Sequence, residues 1–304
     1  MRQPGAPDRG VFAMPMVILS PREVDDFDFN AVQWRFLAEG DSWFSIGHNP
    51  PWATSNVLMA MQGQFAKRHV AVNCATPGDT LAHMHQMWSD YNFTSLLDSP
   101  QHRMWWHGLL FSAGGNDLID ACQSPATAPD ASRRIFRTQP EWSSPTEGAD
   151  RYLSEDGWQR FAAYFRAHFD HLLERRANAE NPDMAIFMHT YALPTVRNAP
   201  AGSMLGKTLG PWLYKAVKMY GIPEMDWPAV AERLFDKLSA LIKGCHDPAR
   251  AVYVYDSQAL AGVTPAAPGT TEKSGDWLNE IHLTRGGYDK VAAGFAGFVA
   301  GVLS

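Results

Sequence analysis

The stretch Phe36-Leu37-Ala38-Glu39-Gly40-Asp41-Ser42-Trp43-Phe44-Ser45 decides how this chain is interpreted, because an apolar run ends there in turn residues and a serine. The run from Val32 to Ala38 predicts a buried strand. Glycine reaches positive φ and aspartate bonds its own backbone, so Gly40-Asp41 predicts a turn. A serine just beyond such a strand lies where parallel sheets usually bind ligands. Equally, Asp41-Ser42 is a common cap for a following helix.

Composition limits the classes of function. The chain has 304 residues, 45% of them hydrophobic, which is enough to bury a sizeable core. Its formal charge of −6 and the lack of a basic cluster argue against a nucleic-acid partner. The three cysteines, Cys74, Cys122 and Cys245, are widely spaced and include no CxxC pair. This spacing argues against a disulfide framework and against a structural zinc site.

The N-terminal region predicts neither a signal peptide nor a membrane span. The segment from Val11 to Leu19 is apolar and follows Arg2 and Arg9, but Pro15 interrupts it and no small-residue cleavage site follows. No apolar run in the chain approaches the length needed to cross a bilayer. We therefore expect a cytoplasmic protein, with a secreted or periplasmic location left open.

Short β-branched and apolar runs alternate with helical patterns along the chain. The predicted strands are 32–38, 68–74, 105–112, 184–189 and 251–255, and the predicted helices include 52–62, 81–91, 152–177, 227–243 and 287–303. Strands separated by helices predict an α/β fold, with a five-stranded, mostly parallel sheet and helices on both faces. We expect residues 1–30 to be an N-terminal lead-in and residues 31–304 to form a single domain, with insertions after the third and fourth strands.

Polar turns follow the first three predicted strands. They are Gly40-Asp41-Ser42, Pro77-Gly78-Asp79 and Gly114-Gly115-Asn116-Asp117. The carboxyl ends of successive strands in a parallel sheet line one crevice, so we expect these turns to meet. A fourth stretch, Gly275 to His282, follows the last predicted strand. Together they offer a hydroxyl, a histidine and amide donors, which is the set that acyl transfer requires.

The order of these blocks resembles the SGNH (GDSL-like) hydrolase family over most of the chain, from about Trp34 to its end. The family's Gly-Asp-Ser block is matched by Gly40-Asp41-Ser42, its glycine block by Asn73 to Gly78, its Gly-x-Asn-Asp block by Gly114 to Asp117, and its histidine by His282. The resemblance implies a flavodoxin-like three-layer sandwich. It also implies a serine esterase that hydrolyses an acyl or acetyl ester of a small molecule or glycan, with no metal and no cofactor.

The resemblance carries roles onto individual residues. It implies that Ser42 attacks the ester carbonyl and that His282 acts first as base and then as acid. The backbone N–H groups of Ser42 and Gly78, with the side-chain amide of Asn116, are implied to form the oxyanion hole.

The group that orients His282 is left open by the sequence. The family usually has its acid three residues before the histidine, where this chain has Asn279. Asparagine accepts a hydrogen bond from the imidazole but brings no full charge to stabilise imidazolium. We expect Asp276 to be the orienting acid, with Asn279 or a serine–histidine dyad as alternatives. Glu280 is adjacent to these residues and is expected to point away.

Several other interpretations accompany the main one. An acyltransferase would use the same machinery, and a binding protein would retain the fold without catalysis. The stretch from Gly202 to Thr208 resembles a phosphate loop, but it is one residue short and no strand runs directly into it. His189 ends the fourth predicted strand and faces either the crevice or the core. No pattern indicates an oligomeric state.

Overall fold

A parallel sheet of six strands forms the centre of the fold. The computed structural model describes residues 16–45, 55–86, 88–98, 106–204 and 207–304. Its strands are β1 (Met16–Leu19), β2 (Arg35–Gly40), β3 (His69–Asn73), β4 (Gly108–Ser112), β5 (Ala185–His189), β6 (Ala201–Met204), β7 (Lys207–Leu209) and β8 (Val252–Tyr255). The main sheet has the order β1-β3-β2-β4-β5-β8, with every neighbouring pair parallel. Strands β6 and β7 form a separate antiparallel pair.

Helices cover both faces of this sheet. In the described residues they are α1 (Ser42–Ser45), α2 (Val57–Met61), α3 (Leu81–Met84), α4 (Tyr91–Asp98), α5 (Gly115–Cys122), α6 (Glu155–Ala177), α7 (Leu213–Met219), α8 (Trp227–Lys243), α9 (Ser257–Leu260) and α10 (Arg285–Leu303). The connection from β2 to β3 moves along the sheet towards β1, whereas the later connections, from β3 to β4, β4 to β5 and β5 to β8, move the other way. Right-handed connections therefore put helices on opposite faces, and α2 packs against α10 on one of them. The α/β three-layer fold class predicted from sequence is confirmed.

The sheet differs from the prediction at its edge. All five predicted strands are present, but Met16–Leu19 forms a sixth, paired with β3 in the register Met16 to His69. The expectation that the first thirty residues are only a lead-in is therefore wrong for this segment, while residues 1–15 lie outside the described residues. Four residues in a Pro- and Asp-rich region are too few for their pattern to distinguish a strand from a loop. The hydrogen bonds with β3, which the sequence does not show, stabilise the strand.

Helix boundaries follow local signals in some places and tertiary contacts in others. The prediction for 227–243 is confirmed, and α6 begins where Ser154 accepts a hydrogen bond from the Gly157 backbone N–H at 3.0 Å. The predicted helix 81–91 is wrong, because α3 ends at Met84 and α4 starts at Tyr91. The part of the predicted helix 52–62 before Ser55 lies outside the described residues.

The phosphate-loop-like stretch is not followed by a helix. Ala201–Met204 and Lys207–Leu209 pair as antiparallel strands, so Lys207 begins a strand instead of a helix N-terminus. In the described part of this stretch, the strand-to-helix turn that such a motif needs for an anion site is not formed. Among the described residues, no helix has both the length and the apolar content to cross a membrane.

Candidate active site

Ser42 is held at the carboxyl end of the central strand β2. Gly40 lies so close to β4 that a Cβ on it would be 2.7 Å from the Ser112 carbonyl oxygen, which explains why glycine is needed there. The Asp41 N–H donates to that same oxygen at 3.1 Å. Asp41 also caps α1, because its Oδ1 accepts from the Trp43 N–H at 2.9 Å. The turn therefore has both of the roles that the sequence allowed. Asp41 caps α1, and Ser42 is the first residue of that helix.

His282 approaches Ser42 from the far end of the sequence. Its Nε2 lies 2.8 Å from the Ser42 Oγ, and both residues are buried, at 4% and 5% exposure. Burial lowers the pKa of His282 to about 4, so the ring is neutral at pH 7. A neutral imidazole at this distance from a serine hydroxyl is placed to take its proton.

Asn279, three residues before His282, orients the ring. Its Oδ1 accepts from the backbone N–H groups of Ile281, at 3.1 Å, and His282, at 2.9 Å. These two donors identify this atom as the amide oxygen. The same oxygen lies 3.1 Å from His282 Nδ1, so Nδ1 carries the hydrogen and donates it. Nε2 is then unprotonated, and it accepts from the Ser42 hydroxyl.

The prediction that Asp276 is the orienting acid is wrong. The Asp276 Oδ2 accepts from the Lys290 ammonium and from the Thr264 N–H, each at 2.6 Å. An antiparallel bridge between Trp277 and Leu283 closes the loop tightly, so the residue inside the loop meets the imidazole while Asp276 faces α10. The alternative with Asn279 agrees with the structure. The sequence shows only that Asp276 lies six residues before His282. It does not show that the loop folds back and turns Asp276 away from the imidazole.

The residues predicted for the oxyanion hole lie on neighbouring turns. Gly78 has a φ of 85° in a turn that starts at Thr76, whose N–H donates to the Gly40 carbonyl at 3.0 Å. The Asn116 Nδ2 donates to the Asp79 carbonyl at 2.9 Å, and Asn116 lines the same pocket as Ser42. The turns are thus brought together as expected. The oxyanion roles of Ser42, Gly78 and Asn116 stay predictions.

A buried polar chain below Ser42 was not anticipated. The Tyr191 hydroxyl donates to Asp41 Oδ2 at 2.6 Å, and the Ser112 hydroxyl donates to Asp41 Oδ1 at 3.2 Å. Burial raises the pKa of Asp41 to about 6, while these hydrogen bonds and that of the Trp43 N–H oppose the rise. His189 also belongs to this chain, because its Nε2 lies 3.1 Å from Ser112 Oγ. It is buried, so of the two sequence-based alternatives, the crevice and the core, the structure agrees with the core.

The loop that carries His282 is anchored by a buried arginine and a buried glutamate. Arg197 is 1% exposed, and its Nη2 donates to the Asn279 carbonyl at 2.6 Å. Glu280, also fully buried, accepts from the Tyr214 N–H at 2.7 Å and from the Trp212 N–H. Glu280 does point away from the imidazole, as expected. Burial raises the pKa of the Glu280 carboxyl to about 7, although the backbone hydrogen bonds that it accepts lower the pKa.

A narrow, mostly apolar pocket opens beside Ser42. It holds about 350 Å³ of empty space, part of it continuous with solvent. Its lining includes Ser42, Asn116, Trp43, Ile119, Tyr191, Pro194, Phe235, Trp277 and Ile281. Trp43 also donates its indole N–H to the Ile281 carbonyl at 3.2 Å, which ties the nucleophile turn to the histidine loop. The part of it that can hold a water molecule is only about 20 Å³, well below the roughly 300–1,000 Å³ of ligand pockets, so it is a narrow slit.

Comparisons with known proteins find likeness in structure but not in sequence. No family model matches the chain. No curated protein matches it either.

Solved structures of esterases and lipases resemble the fold at low sequence identity. An extracellular lipase from Streptomyces rimosus has a TM-score of 0.48 and 13% identity, covering 88% of this chain and 99% of its own. A carbohydrate acetylesterase from Sinorhizobium meliloti has a TM-score of 0.44 and 12% identity, covering 89% of this chain and 100% of its own. An aryl esterase from M. smegmatis has a TM-score of 0.42 and 11% identity, covering 88% and 99%. The chain is similar to each of these in the course of its backbone.

Proposed function

We propose that this protein is a serine esterase of the SGNH type, which hydrolyses a carboxylic ester through an acyl-serine intermediate. The observation that carries the proposal is the pair of contacts made by His282, whose Nε2 lies 2.8 Å from Ser42 Oγ and whose Nδ1 lies 3.1 Å from Asn279 Oδ1. A nucleophile, a base and a group orienting the base, each within hydrogen-bond reach of the next, are the signature of an activated serine.

The chemistry follows from these contacts. Ser42 Oγ attacks the ester carbonyl while His282 Nε2 takes the hydroxyl proton. The resulting imidazolium gives that proton to the leaving alcohol as the carbonyl re-forms, leaving an acyl-serine. Water then attacks the acyl group, with the same nitrogen acting as base, and Ser42 is released. An alcohol in place of water would give acyl transfer.

The developing oxyanion would be met by the N–H groups of Ser42 and Gly78 and by the Asn116 amide. Removing one such donor costs about 3 kcal/mol of transition-state stabilisation. In the free protein the Asn116 amide donates to the Asp79 carbonyl, 2.9 Å away. An amide has two N–H donors, so this bond fixes the amide and leaves a second hydrogen for the substrate.

The pocket supports a short acyl group. Large side chains, among them Trp277, Phe235 and Ile119, line the space beside Ser42. Few polar side chains line it, so it favours a small apolar group such as acetyl, and a long chain would have to extend into solvent. We expect acetyl and propionyl esters to be hydrolysed at least about tenfold faster in kcat/KM than decanoyl esters.

Fluorophosphonate labelling with intact-mass analysis tests the proposal, alongside hydrolysis of p-nitrophenyl acetate. Wild type should gain one label, and Ser42→Ala should gain none and lose at least ~1,000-fold in kcat. The matched control is Ser45→Ala, since Ser45 lies in the same short helix but donates its hydroxyl to the Asp41 carbonyl at 2.8 Å. Labelling of wild type no faster than Ser42→Ala would exclude an activated serine and favour a binding protein.

A further inference from the structure

Three carboxylates converge directly behind the nucleophile turn, and the proposed reaction uses none of them. One oxygen each from Glu39, Asp79 and Asp90 lies within 4.8 Å of the others. Glu39 is the last residue but one of β2, Asp79 belongs to the turn after β3, and Asp90 precedes α4. Glu39 is fully buried, Asp90 is 7% exposed and the Asp79 side chain is 10% exposed. Such burial of three acids is far from the ordinary placement of acidic residues.

Within the described ranges, two of the carboxylates have an oxygen without a hydrogen-bond partner. Glu39 Oε1 accepts from the Gly40 N–H at 2.6 Å, but Glu39 Oε2 is unpartnered. Likewise Asp90 Oδ1 accepts from the Phe93 N–H at 3.1 Å, but Asp90 Oδ2 is unpartnered. Folded proteins rarely leave buried charged oxygens unsatisfied, because the loss of hydration is large. The two oxygens therefore indicate a partner between the acids, either a proton that Glu39 and Asp90 share or a cation.

Protein cations do not supply that partner. Among the described residues, no lysine or arginine forms an ion pair with these three acids, and the one ion pair found is between Asp79 Oδ1 and His83 Nδ1, at 3.3 Å. His83 is 61% exposed on its side chain, on the solvent side of Asp79. Burial raises the pKa of Glu39 well above its usual range, and a side-chain hydrogen bond with Asp90, followed by the charge of Asp90, raises it further.

We propose that Glu39, Asp79 and Asp90 bind one hard divalent cation, of the class Mg²⁺, Mn²⁺ or Ca²⁺. Carboxylate oxygens are the ligands these ions prefer, at about 2.0–2.6 Å. Two oxygens on opposite sides of such an ion lie roughly 4–5 Å apart, which matches the spread of at most 4.8 Å in this cluster. A proton shared by Glu39 and Asp90 would join only those two acids, whereas a divalent ion also reaches Asp79, whose Oδ1 accepts from the Thr80 N–H at 3.0 Å. Water would complete the coordination from the side of Asp79.

The position of the site gives it a structural consequence. A cation there joins β2, just before the nucleophile turn, to the turn that contains Gly78 and to the start of α4. The Asp79 carbonyl is also the acceptor for the Asn116 amide. The ion would thus fix the turn that contains the Gly78 N–H and that accepts the hydrogen bond of the Asn116 amide. Only this last consequence depends on the proposed esterase function; cation binding itself does not.

Thermal unfolding and Mn²⁺ electron paramagnetic resonance test the site on the full chain. Protein stripped with EDTA and dialysed is scanned with about 5 mM MgCl₂, MnCl₂ or CaCl₂, against NaCl of equal ionic strength. At least one cation should raise Tm by about 3 °C or more, and Mn²⁺ should bind one per chain. Glu39→Gln, which keeps the shape of the side chain, should abolish both effects, as should Asp90→Asn. The matched control Asp130→Asn, in an exposed acidic position, should retain them.

The results separate the cation from a shared proton. If Glu39→Gln raises Tm in EDTA and no cation raises the Tm of wild type by more than about 1 °C, the acids share a proton and the proposal is overturned. An equal cation effect in wild type and Glu39→Gln overturns it too, because the ion then binds elsewhere. Since none of these readouts measures esterase activity, a failed fluorophosphonate test would leave them intact.

Discussion

The two sides of the cleft are held in place by different means. Ser42 follows a sheet strand, and its position comes from β2, the close approach of Gly40 to β4 and the cap that Asp41 provides. His282 belongs to a loop, and its position comes from buried charges: Arg197 on the Asn279 carbonyl and Glu280 on the backbone of α7. A sheet positions a residue through many shared hydrogen bonds, whereas a loop depends on a few strong ones. The histidine side should therefore be the more sensitive to single substitutions.

The largest effect is expected from Arg197→Ala. It removes a fully buried guanidinium and leaves the Asn279 and Glu272 carbonyls without their donor. We expect a loss of about 3–5 kcal/mol in the free energy of unfolding, measured by urea denaturation. We also expect a fall in kcat of the remaining folded enzyme, because Asn279 is released.

The control for this substitution is Arg176→Ala. Arg176 is also buried and donates to a carbonyl, that of Met184 at 3.0 Å, but it lies on α6 away from the cleft. It should destabilise the protein comparably while kcat of the folded fraction stays near wild type. Equal loss of kcat in both variants would mean that the charge on the histidine loop has no special part in positioning His282.

A middle-sized effect is expected from Asn279→Asp, measured as the pH profile of kcat/KM. Protonated His282 cannot take the Ser42 proton, so activity falls as pH drops through the pKa of the ring, which burial holds at about 4. A carboxylate at position 279 would stabilise imidazolium and raise that pKa by about 1–3 units. The acid limb should therefore move to higher pH, and wild type should be the more active below about pH 5.

Asp276→Asn is the matched control for that change, because it alters an acid in the same loop that faces Lys290. Its acid limb should stay with that of wild type. Its stability should fall by less than about 1 kcal/mol, as expected for a partly exposed ion pair. A shift of the acid limb in Asp276→Asn as large as that in Asn279→Asp would restore Asp276 to the role predicted from sequence.

The smallest effect is expected on the nucleophile side, from Tyr191→Phe. This removes the hydroxyl that donates to Asp41 Oδ2 at 2.6 Å and leaves that oxygen buried without its donor. We expect a loss of about 1–3 kcal/mol in stability and less than about a tenfold loss in kcat/KM, since the sheet still holds Ser42. Tyr253→Phe, on the remote strand β8, serves as the control. A larger loss of kcat here than in Arg197→Ala would reverse the comparison.

The sequence by itself determined the layers of the fold and the turns that carry Ser42, Gly78, Asn116 and His282. Those features are local: apolar runs make strands, and glycine, aspartate and asparagine make the turns at their ends. The edge strand Met16–Leu19 was missed because its pairing with β3 spans some fifty residues of chain.

Only the tertiary structure decided between Asp276 and Asn279. The choice depends on how the loop closes and on Lys290, a residue of α10 that takes the carboxylate away. The same holds for Arg197 beneath the histidine loop and for the meeting of Glu39, Asp79 and Asp90. A buried charge gives no periodic signal in a sequence. Its role depends on its hydrogen-bond and ion-pair partners, which come close to it only when the chain folds.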